Sequence, residues 1–228
     1  MKSRLKLFFI NSVLLFPFCA LSQSNFKGTT QFGIGTGCTF GGTSVKVAFD
    51  TLGEVKGSGV NIKFNYGIKA QYGLSDMVSL GVFIKRESAV FASSYTYDNS
   101  YFTPPAINIH TSGFSLGAEI RYYITNKDFY NLFVGPYFGG YTGNARLTVY
   151  EARGNLKGFN YGVGGGLNWY WGDHVGMYLD FAFSSQTLSG NPDNPDDFKD
   201  HDEQVTKYKI NSKGIYACLG FIVKFDED

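Results

Sequence analysis

An excess of charge of one sign is missing from this chain. Its 228 residues hold 20 Lys and Arg against 19 Asp and Glu, and only 17% of the sequence is charged. A nucleic-acid-binding domain carries a basic excess that meets phosphates, so no nucleic-acid partner is expected. Long apolar runs are also missing. After the amino-terminal segment, no stretch approaches the roughly 18 uninterrupted apolar residues of a spanning helix. Cysteine is scarce: Cys19, Cys38 and Cys218 are too few for a disulfide scaffold. The three histidines, His110, His174 and His201, sit at no metal-ligand spacing with them, and neither a metal nor a cofactor is expected. What the chain has in plenty is 29 Gly, 22 Phe and 16 Tyr. An aromatic share of 18% is foreign to disordered chains. Glycine at nearly twice its usual share of about 7% argues against a helical bundle.

The amino terminus has the three parts of a secretory signal. Lys2, Arg4 and Lys6 are basic, Phe8 to Phe18 is apolar, and Ala20-Leu21-Ser22 places small residues at a cleavage site. The apolar run is too short for a comfortable transmembrane helix. Residues 1–22 are therefore predicted to be a cleaved signal peptide, and 23–228 a single domain.

The mature sequence has a period of two. In residues 61–74, Ile62, Phe64, Tyr66, Ile68, Ala70, Tyr72 and Leu74 fall on one face. Asn61, Lys63, Asn65, Gly67, Lys69, Gln71 and Gly73 fall on the other. Strict alternation over this length is satisfied only by a strand. The pattern recurs in 112–125, 159–171 and 215–225, and more weakly in 29–41, 78–93, 132–143 and 175–187, with Pro136 blurring the phase of its segment. Eight strands are predicted. Their connections alternate between tight turns (Ser75-Asp76-Met77, residues 126–130, Gly172-Asp173-His174) and long loops (42–60, 94–111, 144–156, 188–212). An even strand count with short turns at one end and long loops at the other describes a transmembrane barrel.

Alternation alone does not say which face meets lipid, because a soluble barrel alternates too. Three features favour an apolar face turned outward. The other face is mostly Gly, Asn and a few charges, which suits a narrow lumen better than a solvated surface. Aromatics gather at the strand ends near the tight turns: Tyr72, Tyr122, Trp169, Trp171, Tyr178 and Phe225 resemble an interfacial girdle. The signal segment delivers the chain to the envelope. In lipid, barrel closure satisfies every backbone hydrogen bond.

At this point the residues resemble a known family. Tyr72-Gly73-Leu74-Ser75-Asp76 is similar to the aromatic-Gly-polar-Asp periplasmic turn of the small eight-stranded outer-membrane β-barrels of Gram-negative bacteria. The amphipathic last segment ending at Phe225 is similar to their final strand. The resemblance covers Gly28 to Phe225 and is to the broad outer-membrane β-barrel domain family. It implies an all-β, closed, antiparallel up-and-down transmembrane barrel, monomeric and surrounded by outer-membrane lipid. The tight turns would face the periplasm and the long loops would face outward, where a protein partner would bind.

The chemistry-bearing residues are few. Lys63, Lys69, Lys85, Glu87, Glu119, Arg121, Asp180 and Lys224 fall on the inward face, where an ion network filling the lumen is expected, with Lys85 paired to Glu119. The glycine-rich runs Gly33–Gly37 and Gly162–Gly166 carry Phe40 and Leu167 where a dinucleotide loop needs its third glycine, so they read as barrel curvature. His110 and Ser112 share a face and would suit a base and nucleophile, as in outer-membrane lipid A deacylases. The following Gly113-Phe114 departs from that family, and no acidic residue shares their face nearby. Six acidic residues between Asp193 and Glu203 do not have EF-hand spacing and read as a solvated loop. Cys38 and Cys218 fall on opposite faces, which precludes a bridge. Three functions stay open: a non-enzymatic anchor displaying loops, a narrow channel or carrier for small or apolar molecules, and a lipid-modifying enzyme using His110 and Ser112. The first is expected, so the chain is expected not to be an enzyme.

Overall fold

The structure, a computed structural model, describes residues 25–49, 54–95, 107–147, 153–193, 199–200 and 203–225. The proposed signal peptide lies outside them. The strands are β1 Thr30–Phe49, β2 Glu54–Ser75, β3 Val78–Tyr95, β4 Ile107–Asn126, β5 Tyr130–Leu147, β6 Arg153–Tyr170, β7 Val175–Pro192, β8 Lys199–Asp200 and β9 Glu203–Phe225. Each of β1–β7 pairs antiparallel with the next, β7 pairs with β9, and β9 pairs back onto β1. These eight long strands therefore close an up-and-down ring in which no edge is left open. The two-residue β8 pairs with β9 outside that ring.

The alternation of the sequence is the alternation of the wall. On β2, Lys63, Lys69 and Gln71 are buried, while Phe64, Tyr66 and Ile68 are about 60% exposed. A belt of exposed Phe, Ile, Leu and Val covers the outside of every strand near the tight turns. The exposed area is far larger than a water-soluble monomer tolerates. Pro136, which blurred the phase of β5, points outward between Val134 and Phe138 and keeps its ladder place opposite Val163.

The strands are longer than predicted. Loops expected at 42–60, 144–156 and 188–212 are largely ladder, since β1 runs to Phe49 and β2 begins at Glu54, β5 runs to Leu147 and β6 begins at Arg153, β7 continues to Pro192, and β9 starts at Glu203; in 94–111, strand covers residues 94–95 and 107–111. The backbone parity continues through these extensions, but the hydrophobicity inverts. Inward residues become apolar: Val45, Val47, Ala89, Phe91, Ile109, Tyr141, Ala145, Leu156, Leu188, Tyr208 and Ile210 form one buried cluster inside the ring. Outward residues there become polar. A wall in water needs the reverse pattern of a wall in lipid, so strand and loop cannot be separated by asking where outward apolar residues stop.

Residues ahead of β1 close the tight-turn end. Gly28 adopts φ 94°, a left-handed conformation open to glycine, and its N–H donates to the Gly73 carbonyl at 3.0 Å. The buried Asn25 donates through Nδ2 to the Ser75 carbonyl at 2.8 Å, and its backbone N–H donates to Asn126 Oδ1 at 3.0 Å. This segment ties the turn after β2 to the turn after β4.

Candidate functional site

The lumen gathers the eight inward charges at three levels. Nearest the tight turns, Lys224 Nζ lies 5.8 Å from the Tyr170 ring centroid. One step up is a four-residue ion cluster. Lys69 Nζ is 2.9 Å from Asp180 Oδ2, and Arg121 Nη2 is 3.4 Å from that same oxygen and 2.9 Å from Glu119 Oε1. Gln71 Nε2 donates to Glu119 Oε1 at 2.6 Å. Arg121 also packs over the Phe133 ring, with Cζ 3.8 Å from its centroid. These groups come from β2, β4 and β7, so the cluster crosslinks walls that do not pair with each other.

Higher in the lumen, Lys63 Nζ donates to Gln186 Oε1 at 2.9 Å, and Gln186 Nε2 donates to Glu87 Oε2 at 3.1 Å. Asn160 Nδ2 donates to Ser115 Oγ at 2.8 Å. Above that level the apolar cluster begins. Polar side chains have thus replaced water inside the membrane-height part of the barrel, and apolar ones fill the rest. Three cavities inside the lumen are small. About 30 Å³ lies between Lys63, Glu87 and Asn160, about 40 Å³ beside Arg121 and Asp180, and about 20 Å³ beside Lys69 and Tyr178. Each holds about one to three waters.

Two sequence expectations fail here. Lys85 and Glu119 do not pair. The ladder sets Lys85 opposite Ser115 and Glu119 opposite Gly81. Lys85 instead lies 4.4 Å from the Phe83 centroid and 4.6 Å from that of Tyr216, and it makes no ion pair among the described residues. Counting each residue from its own tight turn misled, because β3 and β4 join at the long-loop end. Their tight turns belong to different hairpins and are staggered, with Val78 facing Tyr122, four residues short of the end of β4. Tyr178 is the second correction: it is not in the girdle but buried in the lumen, with Lys69 Nζ 3.2 Å from its ring centroid. Its ring fits because it faces Gly220 across the β7–β9 ladder and lies over Gly33 and Gly35 of β1, where a Cβ would collide with it.

The other girdle residues, Tyr72, Tyr122, Trp169, Trp171 and Phe225, are exposed on the outer wall, with Phe225 edge-on to Phe32 at 6.0 Å. Phe40, Phe64, Phe114 and Phe159, outward by parity but outside the expected girdle, are also exposed on the outer wall, farther from the tight turns. His110 and Ser112 do share the outer face, but His110 stands between Val90 and Arg146, and Ser112 between Ser88 and Asn144. A triad needs a carboxylate to orient its histidine, and none bonds to His110 among the described residues. His174 sits in its tight turn with Nδ1 3.2 Å from the Lys224 carbonyl. Asp196, Asp197, His201 and Asp202 lie outside the described residues; no group of three or more potential metal ligands occurs among the described ones. Cys38 is on the outer face and Cys218 in the lumen, both as free thiols.

No family model matches this chain, and no curated protein matches it. Solved structures do. The outer membrane protein OprG from Pseudomonas aeruginosa superposes with a TM-score of 0.56 at 13% identity, covering 90% of this chain and 100% of that one. Ail, the attachment invasion locus protein of Yersinia pestis, matches at a TM-score of 0.38 and 14% identity, covering 88% and 100%. The outer membrane protease OmpT from Escherichia coli matches at 0.44 and 11%, covering 90% and 99%. The likeness to OprG is one of fold: this chain has the architecture of a small outer-membrane β-barrel.

Proposed function

We propose that this protein is a sealed, non-enzymatic barrel of the Gram-negative outer membrane, a membrane anchor whose work is done by the part that stands above the lipid. Residues 1–22 are its cleaved signal, and the mature chain is a monomer held by outer-membrane lipid. The tight turns face the periplasm, and the long-loop ends of the strands face the outside and meet a protein partner. One observation carries the reading. The lumen is blocked twice, by the Lys69–Asp180–Arg121–Glu119 cluster at membrane height and by the apolar cluster around Phe91, Ile109, Leu156 and Ile210 above it. A path for solutes needs continuous space, and the cavities between these blocks hold only a few waters each. The extensions of the strands past the apolar belt make a stiff turret rather than loose loops, which suits display.

The test is conductance. The full chain, folded into a planar bilayer, is expected to give no stepwise current. Resolved single-channel steps would overturn the sealed barrel in favour of a channel. Against the enzyme reading, Ser112→Ala is expected to leave the acyl composition of the surrounding lipid unchanged.

A further inference from the structure

Above the apolar belt the outer wall becomes predominantly basic. Lys46 on β1, Lys56 on β2, His110 on β4, Arg146 on β5, Arg153 and Lys157 on β6, and Lys209 and Lys213 on β9 all point outward there. The outward carboxylates described at this end are Glu54 and Asp193. At the tight-turn end the signs are mixed, with Asp76, Lys127, Asp128 and Asp173. One rim of the belt is therefore basic and the other is not.

The ladder arranges these basic residues in rows. Lys46 is the direct partner of Lys56 on one side and of Lys209 on the other. Arg146 is the direct partner of His110 on one side and of Arg153 on the other. Neighbouring strands lie about 4.8 Å apart, and like charges directly opposite each other destabilise a sheet. The single ion pair made by either row among the described residues joins Lys46 Nζ to Glu54 Oε2 at 3.9 Å, with both side chains well exposed. Two rows of three basic side chains are thus held side by side with one carboxylate between them. Such rows are stable against a polyanion lying along the wall. Below them, past a polar band that includes Ser44, Asn144, Asn155 and Asn211, the wall is apolar, with Phe40, Phe114 and Phe159 exposed. A molecule that satisfies both zones has acyl chains below and phosphates above.

We propose that the Lys56–Lys46–Lys209 and His110–Arg146–Arg153 rows bind the phosphates of a phosphorylated, acylated glycolipid in the leaflet at the long-loop end. The inference rests on the membrane reading above and adds a ligand class and two sites to it. Arg86, whose guanidinium packs 5.4 Å from the Phe114 centroid, stands at the border between the zones and reaches the same headgroups.

The test uses the full chain in phosphatidylcholine nanodiscs doped with lipid A in its bis-phosphorylated or phosphate-free form, with glycolipid retained per barrel read by native mass spectrometry. At low salt the phosphorylated form is expected to be retained at least tenfold better, with the preference falling as salt rises. Lys46→Gln/Lys56→Gln/Lys209→Gln and His110→Gln/Arg146→Gln/Arg153→Gln should each reduce it, by about fivefold per Lys or Arg removed. All six changes point away from the lumen, and heat-dependent gel mobility checks that the barrel is folded. Equal retention of the two forms by an inserted barrel, or an unchanged preference in both triple variants, overturns the inference while leaving the membrane reading intact. Retention that depends on phosphate but is abolished equally by a soluble sulfated polysaccharide at high salt and low salt alike assigns the rows to that polyanion and also overturns it. A chain that enters no nanodisc overturns both.

Discussion

Replacing Asp180 by Asn removes one charge from the most crowded part of the lumen while keeping the side chain's shape. Asp180 Oδ2 accepts from Lys69 at 2.9 Å and lies 3.4 Å from Arg121. The exposures of the three side chains are 16%, 7% and 2%, so water does little to screen the loss. After the change, two buried cations share Glu119, which already binds Arg121 and Gln71. Leaving a buried charge without its partner costs about 3–5 kcal/mol. At a urea m-value of about 2 kcal/mol/M, the unfolding midpoint should fall by about 2 M. The assay is urea unfolding in lipid bilayers, followed by tryptophan emission and by the heat-dependent gel shift. Lys69→Met with Asp180→Leu should recover much of the loss, since an apolar pair of similar volume removes both the charge and its partner. An Asp180→Asn barrel within about 0.5 kcal/mol of the wild type would refute the idea that the cluster holds the walls together.

Leu116→Arg puts a charge on the lipid-facing wall and should cost about 2–4 kcal/mol in a bilayer unfolding titration, an effect absent if the faces are inverted. Gly117→Ala, one residue away, should destabilise by another route, because its Cβ would collide with the Phe138 carbonyl and the Phe83 ring; a neutral result would refute tight packing at this point of the wall. Gel mobility should be the same with and without reductant, since Cys38 and Cys218 lie on opposite faces of the wall. External protease on intact cells should cut between Asp193 and Glu203 before any other site, and cleavage at Gly172–His174 would turn the barrel upside down.

The wall was legible in the sequence because a strand's period of two leaves no freedom: once Ile62 faces out, Lys63, Lys69 and Gln71 must face in. The eight inward charges followed from the same parity. Two things did not. Which inward groups touch depends on stagger between strands, and stagger is set by barrel closure rather than by residue count from a turn, so Lys85 and Glu119 were expected to meet and do not. The far ends of the strands were taken for loops because outward hydrophobicity was used as the sign of a strand. Val45, Val47, Phe91, Ile109 and Ile210 continue the parity of their strands into these ends, but on the inside, where no apolar residues are expected from the sequence. Tyr178 was assigned by residue type alone. Its even number shares parity with Asp180, and the glycines opposite it make the space its ring occupies.

The central claim is that one wall passes from lipid to water while its inside passes from polar to apolar. Spin labels placed singly along β9 from Ile222 down to Lys207, in a background lacking both native thiols, test it most directly through collision with oxygen and with a water-soluble nickel chelate. Oxygen should dominate at Phe221, Leu219, Ala217 and Ile215 and drop at the even positions between them. The nickel chelate should take over at Lys213, Asn211 and Lys209, with Tyr208 and Ile210 shielded from both. Nickel contact at Leu219 and Phe221, or oxygen maxima at the even positions, would contradict the account.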